Sequence, residues 1–136
     1  MEVLTKSAEE TKALGEKIAA GLTGGEILAL TGELGSGKTT FVQGLAKGLG
    51  IKARVISPTY ILIRKYGKSF YHIDLYRLEG EVEKEMKNLG IEEIWDNPEN
   101  VVVIEWAEKV SQAIPKKAIW IEFENLGAKR RKITLG

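Results

Sequence analysis

The 136-residue chain has no cysteine, which excludes a disulfide framework, a thiolate nucleophile and a cysteine-ligated zinc site. It has no apolar run long enough to cross a bilayer. Met1 is followed by Glu2 rather than by the apolar stretch of a secretory signal, so a cytoplasmic protein is expected. Neither sign of charge predominates. Twenty Lys and Arg against 19 Asp and Glu leave a formal net charge of +1, which makes no strong case for direct nucleic-acid binding. Internal repeats and low-complexity tracts are absent. The length suits one domain over 1–136 with a real core. It leaves no room for a full motor domain, or for the lid and base-binding insertions of many nucleotide kinases. Basic residues gather locally, at Arg64, Lys65 and Lys68 and again at Lys129–Lys132, as solvated surface or as a phosphate or partner contact.

Residues 32–39 read Gly-Glu-Leu-Gly-Ser-Gly-Lys-Thr, a complete phosphate-binding P-loop. Such a loop needs a strand before it and a helix after it. Ile27–Leu30 is a short apolar run that suits a buried parallel strand, and Phe41, Leu45 and Leu49 recur on one helical face. Glycines let the backbone curl so that its N–H groups point at phosphate oxygens, and the helix N-terminus adds unpaired donors. Gly35, Ser36, Gly37, Lys38, Thr39 and Thr40 are therefore the expected nucleotide contacts. Lys38 reaches the β- and γ-phosphates in this reading, and the Thr39 hydroxyl is a magnesium ligand.

The rest of the pattern is that of an α/β chain. Ser7 and Glu10 form a capping box for a helix carrying Leu14, Ile18 and Leu22. Residues 53–56 look like a strand, stopped by Ser57–Pro58–Thr59. Tyr60–Tyr66 and Ser69–Tyr76, split by Gly67–Lys68, suggest a hairpin. Leu78, Val82, Met86 and Leu89 fit a helical face closed by Gly90, with a further short helix at Ile91–Trp95. Val101–Ile104 is a central strand. A short helix near Ala107–Ala113 precedes Pro115. Lys117–Phe123 and Arg131–Leu135 are final strands joined through Asn125–Gly127. The expected architecture is a three-layer α/β/α P-loop fold, with a mostly parallel central sheet and an antiparallel hairpin portion. Its active edge lies at the carboxyl ends of the parallel strands.

Hydrolysis needs acids opposite Lys38. Glu105 follows Val-Val-Val-Ile, as in a Walker B strand with glutamate for aspartate, and could hold magnesium directly or through water. Otherwise it is merely the first exposed residue after a strand. Asp74 closes His72–Ile73–Asp74 and could act as base, position metal-bound water or complete the metal shell, unless it pairs with Arg77 or caps a turn. His72 reads mainly as a packed or hydrogen-bonded residue. Thr59 could sense the γ-phosphate from a switch segment or sit in a rigid turn. Trp106 could stack on a ring or plug the core, while Trp95 and Trp120 read as packing. Three chemistries share the P-loop: an ATPase, a small nucleotide or metabolite kinase, and a nucleotide-gated binding module without significant turnover. A GTPase is disfavoured because no Asn-Lys-x-Asp segment occurs.

Together these motifs resemble the TsaE family, small bacterial ATPases of tRNA threonylcarbamoyladenosine biosynthesis. The matching residues are 32–41, Ser57–Thr59, His72–Leu78, Ile104–Trp106, Thr11–Gly15 in the first helix, and the final strands with Arg130. The resemblance implies an ATP-binding, slowly ATP-hydrolysing accessory factor that uses magnesium. It implies action with TsaD and TsaB, which place threonylcarbamoyl on adenosine 37 of tRNA, and contact with tRNA only through that complex. The chain does not itself carry the transfer; its ATPase resets the complex between turnovers. An isolated monomer is expected. By the same resemblance Thr39 and Glu105 are magnesium-site residues, Asp74 lies close to the metal and γ-phosphate, and Thr11 and Arg130 lie near the nucleotide. Ala107 departs from the proline that many members carry there.

Overall fold

A computed structural model of the chain describes residues 1–55 and 62–136. Strand β1 (Glu2–Thr5) leads into α1 (Ala8–Ala19), β2 (Ile27–Thr31) and α2 (Lys38–Gly48). After them come β3 (Ile63–Tyr66), β4 (Phe70–Asp74), α3 (Val82–Asn88), α4 (Ile91–Asp96) and β5 (Val101–Glu105). A 3-10 turn (Ala107–Val110) then precedes β6 (Ile119–Gly127) and β7 (Arg130–Leu135). The seven strands form one sheet in the order β1-β7-β6-β2-β5-β4-β3. Its centre, β6-β2-β5-β4, is parallel, and antiparallel pairs extend it at both edges.

The parallel strands are apolar on both faces because helices cover both. Leu28, Leu30 and Val103 face a core with Phe41 and Leu45 of α2. Ile27, Ala29, Val102 and Ile104 face the other core, with Met86 of α3 and Ile91 and Trp95 of α4. Helices α1 and α2 touch backbone to backbone. A Cβ on Gly44 would lie 1.9 Å from the Lys12 carbonyl oxygen, and one on Gly15 would lie 2.3 Å from that of Phe41. Glycine is what permits this approach, and it seats the phosphate-binding helix against the sheet. At the start of α1 the Ser7 hydroxyl accepts from the Glu10 amide, and Glu10 in turn accepts from the Lys6 amide.

Register decides where the acids fall. Asp74 pairs with Glu105 across β4 and β5, and Glu105 with Leu30 across β5 and β2. Three strands therefore end together, and the two carboxylates emerge side by side beside the loop that leaves β2.

Four local expectations need correction. Residues 53–55 form no strand; no neighbour offers a ladder, and the Val55 carbonyl instead accepts from the Gln43 side chain at 3.2 Å. Ile56 and Ser57–Thr59 lie outside the described residues. The helix expected from Leu78 starts only at Val82, because Gly80 takes φ 72° and Lys109 occupies the Leu78 carbonyl. The helix near Ala107–Ala113 is a 3-10 turn that ends at Val110. The last connector sits at Ala128 and Lys129, both left-handed (φ 47° and 67°), while β6 runs on to Gly127 through a register shift. Strand β1, which the sequence pattern does not announce, pairs with β7 at the sheet edge.

Candidate functional site

The P-loop leaves β2 at Thr31 and enters α2 at Lys38. A Cβ on Gly32 would meet the Phe123 carbonyl oxygen at 2.6 Å and the Ser36 hydroxyl at 2.8 Å, so the curl closes only around glycine. Gly37 caps α2 at φ 101°. Ser36 is buried, and its hydroxyl has no partner among the described residues. Above the loop opens a cleft of about 200 Å³. That is smaller than the roughly 300–1,000 Å³ of a pocket that swallows a whole drug-sized ligand. Its size suits the phosphate end of a nucleotide.

Lys38 is only 4% exposed. Its ammonium donates to the Gly32 carbonyl and lies 3.7 Å from the centre of the Trp106 ring. Burial pulls its pKa below the ordinary 10.5, against the pull of the carboxylates of Glu105, Glu108 and Asp74. A cation held in this state is poorly compensated by the protein and gains from a polyanion.

Glu105 and Asp74 are each 3% exposed. The Thr39 hydroxyl, in the first turn of α2, lies 3.4 Å from both Glu105 oxygens. The fully buried His72 places Nε2 2.5 Å from Glu105 Oε2, which fixes the carboxylate from the sheet side. Asp74 Oδ1 accepts from the Tyr76 amide at 2.9 Å. Trp106 carries the sharp exit from β5 in a left-handed conformation (φ 62°), an uncommon state for a bulky residue. Its ring packs on Tyr76 with centroids 5.1 Å apart.

These groups suit a magnesium nucleotide. Thr39, Glu105 and Asp74 offer hard oxygen donors, and the unpartnered Ser36 hydroxyl and the glycine curl form a cradle. Among the described residues no three His, Asp, Glu or Cys side chains converge as a metal cage. Magnesium bound through one or two carboxylates together with phosphate oxygens needs none.

The structure brings Gly35, Ser36, Gly37, Lys38, Thr39, Thr40, Asp74, Glu105 and Trp106 to one cleft. Thr11 is not part of its lining; it is buried at the start of α1, where its hydroxyl shares a 2.7 Å bond with that of Thr5. Arg130 is exposed at the start of β7. The neighbouring Arg131, which the sequence pattern places in the Lys129–Lys132 cluster without singling it out, lines the cleft. It donates to the Gly35 carbonyl at 3.2 Å and to Asn125 at 3.0 Å. Only the register of β7 could have singled it out. Elsewhere in the two basic clusters, Arg64 and Lys65 lie over Tyr66 and Tyr71, and Lys132 pairs with Glu2 at 3.4 Å. Among the described residues no helix is long and apolar enough to cross a membrane.

Comparison with known proteins bears on the family and the fold. A family profile described as "Threonylcarbamoyl adenosine biosynthesis protein TsaE" matches residues 5–133. The chain is 39% identical over 133 residues to the tRNA threonylcarbamoyladenosine biosynthesis protein TsaE of Bacillus subtilis, covering 96% of this chain and 81% of that one. It is 36% identical over 137 residues to the protein of the same name from Treponema pallidum, covering 99% of each. The crystal structure of YdiB from Bacillus subtilis superposes with a TM-score of 0.81 at 33% identity, over 99% of this chain and 83% of that one.

Proposed function

This chain belongs to the TsaE family, and from that premise we infer an ATP-hydrolysing accessory function in tRNA threonylcarbamoyladenosine biosynthesis. The observation that carries the chemical part is the convergence of Lys38, Thr39, Glu105 and Asp74 at adjacent strand ends beside the P-loop.

In this reading Lys38 exchanges the Gly32 carbonyl for phosphate oxygens, which compensates its buried charge. The loop amides and the N-terminus of α2 orient the phosphates. Thr39 and Glu105 hold magnesium, Glu105 directly or through water, while His72 keeps the Glu105 carboxylate turned toward Thr39. Asp74 orients the attacking water or completes the metal shell. Magnesium, when bound, supplies neutralisation of charge on the β- and γ-phosphates. The described residues carry no dedicated arginine-bearing insertion. Slow hydrolysis by the isolated protein follows, with Arg131 holding the loop rather than reaching over it.

The partners proposed are TsaD and TsaB, with tRNA met only through their complex. The net charge of +1 supports that restriction, because it provides little field for tRNA. The test is phosphate release from ATP by the purified protein, with and without magnesium. Slow, magnesium-dependent release that is lost in Lys38→Ala is expected. Stoichiometric phosphoryl transfer to nucleosides or small alcohols would overturn the assignment.

A further inference from the structure

Lys109, in the 3-10 turn after β5, makes an unusual pair of contacts. Its ammonium donates to the carbonyl oxygens of Tyr76 at 2.7 Å and Leu78 at 2.9 Å, more than 30 residues away in the chain. Those carbonyls belong to the irregular segment that follows Asp74, where no ladder or helix takes them. The Tyr76 peptide is engaged at both ends: its N–H donates to Asp74 Oδ1 and its C=O accepts from Lys109. The Lys109 backbone N–H meanwhile donates to the Trp106 carbonyl at 3.1 Å. One residue thus ties the exit of β4 to the exit of β5. Between the two exits the rings of Tyr76 and Trp106 pack at a tilt, and under Trp106 lies Lys38.

We propose that Lys109 is a positioning residue for the ATPase site: it clamps the segment after Asp74 onto the turn after Glu105 and so sets both the Asp74 carboxylate and the Trp106 ring over Lys38. The inference rests on the ATPase reading of the same site. Two carbonyl bonds to a charged donor are strong and directional, and Trp106 sits in a strained backbone state that persists only where its surroundings hold it. Releasing the clamp frees the Tyr76 peptide. Asp74 then loses one of the bonds that hold its rotamer, and the ring over Lys38 loses the Tyr76 ring it packs on. Nucleotide affinity depends mainly on the P-loop, which Lys109 does not touch, so turnover suffers more than binding.

The experiment uses the full chain labelled with 5-fluorotryptophan, which gives three 19F resonances, one for each of Trp95, Trp106 and Trp120. Trp106→Phe assigns the one that matters. Lys109→Met and Lys109→Arg are compared with the parent by 19F spectra without nucleotide and by phosphate release at varied ATP. In Lys109→Met the Trp106 resonance should shift or broaden while those of Trp95 and Trp120 stay in place. Its kcat should fall about tenfold or more, with KM for ATP changed far less. Lys109→Arg, which can still donate to both carbonyls, should restore the Trp106 resonance. An unmoved Trp106 resonance, movement of all three resonances together, or an undiminished kcat in Lys109→Met each overturns the proposal. The spectra need no hydrolysis, so an inactive parent protein would overturn the ATPase reading while the 19F result still decides whether Lys109 holds Trp106.

Discussion

Replacing Lys38 with methionine should make the ligand-free protein more stable and blind to ATP. The unfolded chain holds the Lys38 proton up to the ordinary pKa of 10.5, and the folded chain releases it at lower pH because the ammonium is buried. Between those two values the unfolded state binds more protons, so stability rises with pH there. Below the folded value the penalty of the buried charge is present in full; above 10.5 it is gone. Each unit by which the folded pKa falls corresponds to about 1.36 kcal/mol. An unfolding entropy of about 2.1 cal/mol/K per residue over 136 residues gives about 0.29 kcal/mol per degree, so one unit is worth about 5 °C in Tm. Ligand linkage acts in the opposite direction. ATP at a hundred times its Kd stabilises the parent by about 2.7 kcal/mol, or about 9 °C. Lys38→Met should gain Tm without ATP at neutral pH, lose that gain as the pH rises through 10.5, and show no shift with ATP. Thermal unfolding followed by circular dichroism across pH, with and without magnesium ATP, measures all three. A variant that keeps the ATP shift, or that is less stable than the parent by the same amount at every pH, would refute the reasoning.

Glu105→Gln keeps the shape of the side chain that meets Thr39 and His72 but removes its charge. Phosphate release should fall about a hundredfold or more while the ligand-free Tm moves by only a few degrees; full turnover would count against a metal role. Gly44→Ala puts a methyl carbon 1.9 Å from the Lys12 carbonyl oxygen, so α1 must move and stability should drop by about 1–3 kcal/mol in urea unfolding. An unchanged midpoint would deny the backbone contact between α1 and α2.

Much of the site was legible because its signals are local. The P-loop glycines, the apolar run of β5 ending at Glu105, and a hairpin turn opening at Gly67 each declare themselves within a few residues, although the turn takes in Ser69 as well as Gly67 and Lys68. What escaped depends on distant partners. Strand β1 has four residues and a single buried position, so only β7 makes it a strand. Residues 53–55 have strand-like side chains and no neighbouring ladder. Which of Arg130 and Arg131 reaches the loop is set by the pairing of β7, where a slip of one residue exchanges the faces. Lys109 carries no pattern at all; its importance lies in two carbonyls that an irregular segment leaves unpaired.

The central claim is that ATP turnover at this site sustains repeated tRNA modification by a partner complex. The most direct measurement is the amount of modified tRNA formed per complex in a reconstitution of TsaB, TsaD, tRNA and a threonylcarbamoyl-adenylate supply. The account predicts repeated rounds only when this protein and hydrolysable ATP are both present, and a single round with Glu105→Gln or with a non-hydrolysable analogue. Repeated rounds at the same rate without this protein would contradict it, even if its ATPase activity were real.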